Sequence, residues 1–450
     1  LARTRIGGAP ILQTRLMKKT KFALLLCLLS SPVWSAPVNL PAGSNLTLGN
    51  GSNLQLLNSY SNNPAMPAMT LEWERWGLGM GLLSSIGFGY EVGRVDNLQT
   101  DLEALQKELK NQDNMTLDTA EQLKERFDSF LSQAGRNGYL NIYGGMELPM
   151  NPLILTSREL MGGSLVFDSN ISSATSIRLL DAPLKVNPLA PPSGMLETNS
   201  ALYIKTAMIA EASLGYSLPV VVDDQSTMTL GVRGVYYMGG LRKTLIGLAV
   251  ADGIDAIAKD EQQKSITLTD TVGLDVGALW QWRNHRLGLM GKNLNSPYLE
   301  YQSIGENCEG KTGAARDACY IAQTFAERVD MNERWVMDPQ GNIELGIFND
   351  GLDAVGQITL DTNPVNDALG NRYQWLTISG GYLTRSWFVP GVRAGIRQNL
   401  AGSKLKYVSF GLTFFKMVNL DVAYTLENVV IDGQGEPRSG YINLGFELLF

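Results

Sequence analysis

Residues 406–415, 418–428 and 440–450 share one pattern, in which every second side chain is large and apolar. Successive side chains of a strand point to opposite faces. Val408, Phe410, Leu412 and Phe414 therefore oppose Tyr407, Ser409, Gly411 and Thr413, and Leu420, Val422, Tyr424 and Leu426 oppose Asp421, Ala423, Thr425 and Glu427. In the last run Ile442, Leu444, Phe446, Leu448 and Phe450 oppose Tyr441, Asn443, Gly445, Glu447 and Leu449. The same alternation marks Val392, Ala394 and Ile396 against Arg393, Gly395 and Arg397, and Val272, Leu274, Val276, Ala278 and Trp280 against Gly273, Asp275 and Gly277. One face suits hydrocarbon. The other carries glycine, hydroxyl and charge, which is wrong for the packed centre of a soluble sandwich and right for a water-containing lumen.

The pattern predicts an all-β fold, an antiparallel transmembrane β-barrel of about fourteen strands. They are expected near 78–91, 139–148, 157–168, 201–218, 228–241, 266–282, 286–293, 342–348, 354–361, 373–384, 388–398, 406–415, 418–428 and 440–450. The short links Arg283-Asn284, Asn349 to Asp353, Arg385 to Trp387 and Lys416 to Val418 alternate with long ones, as periplasmic turns alternate with external loops. Trp73, Trp76, Tyr90, Tyr216, Trp280, Trp375, Trp387 and Phe388 lie near expected strand ends, where interfacial girdles form. After residue 35 no run of about 20 apolar residues occurs, so helical membrane spans are excluded.

Residues 1–16 read as upstream sequence translated from a start set too early, with the real start at Met17. Residues 17–35 read as a secretory signal: Lys18, Lys19 and Lys21 precede an apolar run from Phe22 to Leu29, with cleavage near Ser35/Ala36. Export to the outer membrane of a Gram-negative bacterium follows. Losing residues 1–35 removes six Lys/Arg and no Asp/Glu, taking the formal net charge from −7 to −13. A chain so acidic has no basic cluster to neutralise phosphates, so nucleic acid is not an expected partner.

Within the barrel region, 73–450, two insertions depart from the strand pattern. Leu98, Leu102, Leu105 and Leu109, then Leu123, Phe127, Phe130 and Leu131, have helical spacing and predict a helical hairpin over 96–133. Thr100-x-x-Glu103 and Thr119-x-x-Gln122 are its candidate capping boxes. The hairpin either packs on its own barrel or docks a partner. The second insertion, 294–341, holds Cys308 and Cys319, which in an oxidising compartment should form one disulfide. Before the barrel, residues 36–72 are rich in Asn, Gly, Ser and Pro, and either hang in the periplasm or fold back into the lumen as a plug.

Lys205, Glu211, Arg233, Asp275, Arg393, Arg397, Asp421, Glu427 and Glu447 fall on the non-lipid face. A midplane Arg or Lys facing lipid costs ~2–4 kcal/mol, so these charges belong in the lumen. They line a solute path or pair with one another to hold the barrel shut. The single histidine, His285, lies in a tight turn, and no Ser-His-acid set can be built around it. Carboxylates are plentiful, but no feature selects a catalytic pair. No enzyme activity, metal or cofactor is expected.

Asn63-Pro64-Ala65, the fourteen-strand pattern and the terminal Phe450 together resemble the long-chain fatty-acid transporter superfamily of outer-membrane barrels. The helical insert and GKNLNSP at 291–297 resemble its conjugal-transfer TraF-type branch. The resemblance implies a monomeric barrel in outer-membrane lipid with a luminal plug, passing small hydrophobic molecules, or an accessory of a conjugal-transfer or secretion apparatus. It also implies a lateral wall opening at a kinked strand, although the sequence singles out no such strand. Tyr441, Phe446, Leu448 and Phe450 make the last strand an insertion signal for the barrel-assembly machinery.

Overall fold

The computed structural model describes residues 43–70, 76–157, 159–249, 267–349, 353–384, 386–431 and 433–449. The expected early start, the signal segment, its cleavage site, Trp73 and Phe450 lie outside the described residues, as do the side chains of Trp76 and Leu448.

One antiparallel sheet closes on itself. Its strands are β1 (Trp76–Val92), β2 (Tyr139–Glu147), β3 (Leu153–Ser157), β4 (Gly163–Leu180), β5 (Ala201–Val222), β6 (Ser226–Gly247), β7 (Thr269–Trp282) and β8 (His285–Lys292). They continue as β9 (Gln340–Asn349), β10 (Ala354–Asp361), β11 (Trp375–Tyr382), β12 (Gly391–Asn399), β13 (Lys406–Phe414), β14 (Val418–Thr425) and β15 (Ser439–Leu449). Strand β15 closes the ring by pairing with β1, from Gly79↔Leu449 to Glu91↔Ser439. Both β2 and β3 pair with β1 on one side and β4 on the other, so they are two halves of one broken wall strand. The wall thus has fourteen positions.

The alternation decides the orientation of each strand. Ile347, Ile378, Ile396, Phe410, Val422 and Ile442 face outward and are 36–61% exposed. Their neighbours Ser379, Arg393, Arg397, Ser409, Asp421 and Asn443 face inward and are buried. Short turns gather at one end of the barrel and long loops at the other, and β1 begins at the short-turn end.

Three corrections to the sequence reading concern the wall. The strand expected at 157–168 merges the end of β3 with the start of β4, which are separated by a turn containing Gly162 at φ +74°. Strands β5 and β6, of 22 residues each, run past the expected 201–218 and 228–241, and exceed the nine to eleven or so residues that a bilayer requires. Trp375 does not join an interfacial girdle; its ring turns inward against Tyr373 and Tyr407.

The overhang of β4, β5 and β6 is a shelf for two helices, Leu98–Lys110 and Leu117–Asn137. Leu102, Leu105, Phe127 and Leu131 bury their side chains with Ile177, Leu179, Leu202 and Ile204 from the strands. The caps also differ from those read in the sequence. Asn97 and Thr116 occupy the N-caps, Thr116 Oγ1 accepting from Thr119 N at 3.3 Å, while Thr100 and Thr119 lie inside the helices. Each helix starts a few residues earlier than its capping-box motif suggests: Thr116 caps the second through its hydroxyl, whereas Asn97 turns into the first through the left-handed region at φ 48° without a side-chain cap.

In the loop after β8, Cys308 and Cys319 form a disulfide with Cα atoms 5.5 Å apart, anchoring the helix Gly313–Thr324. Cross-linking so short a loop is worth at most about 3 kcal/mol and acts locally. Cys308→Ser is therefore expected to speed proteolysis within residues 303–330 while leaving the barrel's urea midpoint unchanged, which limited digestion and a denaturation curve would check.

Candidate functional site in the barrel lumen

The interior is occupied by the protein's own N-terminal segment. Residues 43–70 hold a single helical turn, Asn45–Leu48, and two 3₁₀ turns, Leu57–Ser61 and Pro67–Thr70. So little regular structure leaves many backbone groups unpaired, and inside a barrel they must find partners. The wall supplies them. Leu48 O accepts from Gln357 Nε2 at 2.7 Å and Ser379 Oγ at 3.0 Å, and Ser52 O from Arg286 Nη1 at 2.6 Å. Leu57 N donates to Glu447 Oε2 at 2.8 Å, and Ala68 N to Ser217 Oγ at 3.1 Å.

The Asn63-Pro64-Ala65 turn sits directly on the wall. Asn63 Nδ2 donates to Leu289 O at 3.1 Å, and Ala65 O accepts from Thr229 Oγ1 at 2.9 Å. Two inward-facing glycines make room for it. A Cβ on Gly231 would lie 2.1 Å from Pro64 O, and one on Gly277 would lie 2.0 Å from Asn63 Oδ1.

Most of the charges expected in the lumen are paired there. Arg393 Nε donates to Asp421 Oδ1 at 2.8 Å, and Thr47 of the internal segment donates to the same oxygen. Arg233 binds Asp275 Oδ2 through Nε at 3.0 Å and Nη2 at 2.7 Å, and its third nitrogen reaches Ser61 O. Lys205 pairs with Glu333 from the long loop, and Glu211 accepts from Asn170 at 3.3 Å. Arg397 stacks over Trp375, 4.0 Å from the ring centre.

Glu427 is an exception. It lies past the end of β14 at the outer rim, bonded to Arg94 at 2.6 Å and Arg438 at 3.0 Å. The alternation was carried two residues too far there. Partial burial works to raise its carboxyl, but hydrogen bonds from the two arginines hold it below the ordinary glutamate range.

Tyr441 and Phe446, read as parts of an insertion signal, divide between faces. The Tyr441 ring points inward, 6.1 Å from Tyr143 and 5.8 Å from Tyr407. His285 opens β8 and stacks on Trp282 at 5.5 Å.

Loops fold over the outer half of the lumen. Leu299, Tyr301, Trp335, Ala368 and Leu369 pack against Tyr143, Ile209 and Val235 of the wall. Asp367 organises one loop tip: its Oδ1 accepts from Leu369 N at 2.9 Å and Asn371 N at 2.7 Å. Burial pushes the Asp367 carboxyl up from 3.8 to about 6, against the pull of those bonds. Because the folded value lies above the unfolded one, the tip is most stable with the proton on and loses that contribution as pH rises through about 6. Asp367→Asn keeps the acceptor without the charge. Amide exchange at Leu369 and Asn371 should therefore slow at about pH 8 and stay unchanged at about pH 4.

Between the internal segment and the wall lies a cavity of about 150 Å³. Glu147, Asp168, Glu211, Arg233, Asp275 and Lys292 line it, with Asn45, Asn58 and Asn62 from the segment. The sequence reading missed Glu147, Asp168 and Lys292. Glu147, Asp168 and Lys292 all fall at the ends of expected strands, at 139–148, 157–168 and 286–293, where the alternation was not followed to the last residues.

The cavity abuts the break in the wall. Strand β2 ends at Glu147 and β3 resumes at Leu153, opposite Asn170 and Phe167 of β4 respectively, so Asp168 faces the gap. Strand β1, which borders the gap on the other side, shifts register against β15 between Gly81 and Ile86. The gap is held by Met150 N to Leu82 O at 3.3 Å, by Leu148 N to Ser169 O at 2.9 Å, and by Ser84 Oγ to Asn151 O. The sequence reading singled out no irregular wall strand, and this break lies at the end of its expected strand 139–148.

Residues 61–356 match the model of a protein family described as F plasmid transfer operon, TraF, protein. No curated protein matches the chain. Among solved structures, a FadL homologue of Pseudomonas aeruginosa is similar at 12% identity with a TM-score of 0.42, covering 92% of this chain and 99% of that one. The Pseudomonas putida toluene transporter TodX aligns at 12% identity and a TM-score of 0.37, over 93% of this chain and 99% of its own. CdiB from Acinetobacter baumannii aligns at 9% identity and a TM-score of 0.28, over 92% of this chain and 74% of its own.

Proposed function

We propose, from the premise that this chain belongs to the F plasmid transfer operon TraF protein family, that it is a normally closed outer-membrane passage for a small solute. Residues 43–70 are its plug, and the broken β2–β3 strand is its side exit. The observation that carries this reading is the cavity, placed between the internal segment and the gap at 148–152. A barrel serving only as a scaffold would have no need of a space there. The expected hydrophobic solute suits the lining poorly, since burying unpaired charge against apolar surface is costly. A polar solute suits it better.

Ion conductance tests the proposal. The full chain in a planar bilayer should be nearly silent, and the chain lacking residues 43–70 should conduct. A properly folded excised barrel that stays silent would refute the plug.

A second reading, an accessory or assembly role in a conjugal-transfer or secretion apparatus, is favoured by the family itself. The helical hairpin would be the contact, through its polar face, because its apolar face is buried on the barrel. Removing residues 93–138 would abolish a partner's binding under this reading and leave conductance untouched under the first. No catalytic step belongs to either, and the barrel is read as a monomer.

A further inference from the structure

The polar atoms that face the luminal cavity are unevenly matched. Glu147 Oε2, Asp168 Oδ1, Asn58 Oδ1 and the Ser61 hydroxyl are buried at the cavity and have no hydrogen-bond partner among the described residues. Three of the four are acceptors, against a single hydroxyl that can donate one proton. The Asn58 orientation is fixed by its Nδ2, which donates to Ser84 O at 2.8 Å, so its carbonyl oxygen is the atom left over. Glu147 and Asp168 are 4% and 8% exposed, and stranding such groups away from water costs the full desolvation of each.

Charge points the same way as hydrogen bonding. Glu147, Asp168, Glu211 and Asp275 set four carboxylates around the cavity against two cations, Arg233 and Lys292. Arg233 is already committed to Asp275 and Ser61 O. Lys292 makes no ion pair with a described residue, and stands as the one cation in the cavity free to meet an anion. The space left by the protein needs donors and positive charge. At about 30 Å³ per water it holds roughly five molecules of solvent, or a ligand of a few heavy atoms.

We propose that this cavity binds a small solute through a primary ammonium group, whose three N–H donors meet Glu147, Asp168 and Asn58. An amino-acid zwitterion would add a carboxylate for Lys292; a simple alkylammonium would not. The inference rests on the reading of the barrel as a passage, and it names the chemistry of what passes. The two carboxylates flank the break in the wall, so a solute held there lies beside the proposed exit.

Titration calorimetry on the detergent-solubilised full chain tests it, with ethylammonium chloride, glycine, magnesium chloride and sodium acetate as the four probes. Ethylammonium and glycine should bind saturably. Asp168→Asn, and separately Glu147→Gln, should weaken both by at least about tenfold, the usual cost of losing a charged hydrogen bond. Two near-isosteric variants are used so that one failing to fold leaves the other. Any preference for glycine over ethylammonium should vanish in Lys292→Met, and equal binding of the two assigns the site to the ammonium alone. The proposal is overturned if neither amine binds, if the carboxylate variants bind them undiminished, or if magnesium or acetate saturates the site instead. An excised barrel that conducts while neither amine binds would sink this inference and leave the passage standing.

Discussion

Excising residues 43–70 should raise ion conductance by at least about tenfold, because the wall of this barrel is wider than its own side chains can fill. Eight-stranded barrels fill their interiors with side chains, while porins of about sixteen strands enclose water. Fourteen wall positions lie nearer the second case. The inward face shows the shortfall: Gly231, Gly277 and Gly395 present no side chain, and the internal segment occupies the space a Cβ would need, with its backbone at Gly231 and Gly395 and with the Asn63 side chain at Gly277. Gly231→Val is the milder version of the experiment. Its side chain would collide with Pro64 O and displace the Asn63-Pro64-Ala65 turn, raising conductance in short bursts and exposing residues 61–68 to periplasmic-side protease. Current recordings on both variants, with the full chain as reference, check the result. Silence from both would mean that the outer loops around Tyr301 and Trp335 are the true closure.

The second large effect concerns a charge pair. Arg393→Met should destabilise the barrel by about 3–5 kcal/mol, the range seen when one partner of a buried ion pair is removed. Both side chains are fully buried, and Arg393 also donates to Thr413 Oγ1 at 2.6 Å. Asp421 would then be left in the interior with only the Thr47 hydroxyl. Replacing both partners, as in Arg393→Met with Asp421→Leu, should recover most of the loss, since the penalty comes from the orphaned charge. Urea unfolding followed by tryptophan fluorescence measures it. A single variant as stable as the parent would show that water reaches this part of the lumen and screens the pair.

The wall was legible in the sequence because its cause is local: a side chain faces lipid or lumen according to the parity of its position. Arg393, Arg397 and Asp421 could be assigned to the interior on that ground alone. Parity fails where a strand stops being regular. Leu148-Pro149-Met150-Asn151-Pro152 reads as a terminator, since proline cannot continue a ladder, yet the wall resumes at Leu153 with the same neighbours. A turn and a gap in one strand have the same composition; only the partners on either side tell them apart. The cavity was illegible for a related reason. Glu147, Asp168 and Lys292 lie 21 and 124 residues apart along the chain, and their meeting depends on cross-strand register, which no short window carries. The sequence also extended the regular pattern to Glu427, two residues beyond the end of β14.

Glu447 and Asp421 lie on the last two strands to be synthesised, yet each takes a hydrogen bond from the first stretch that the structure describes, through Leu57 N and the Thr47 hydroxyl. A ring that zipped up empty would trap both carboxylates without those donors. The internal segment therefore adds to the hold of the seam as well as filling the space behind it, and a barrel lacking residues 43–70 should still close but give way at a lower urea concentration than the full chain.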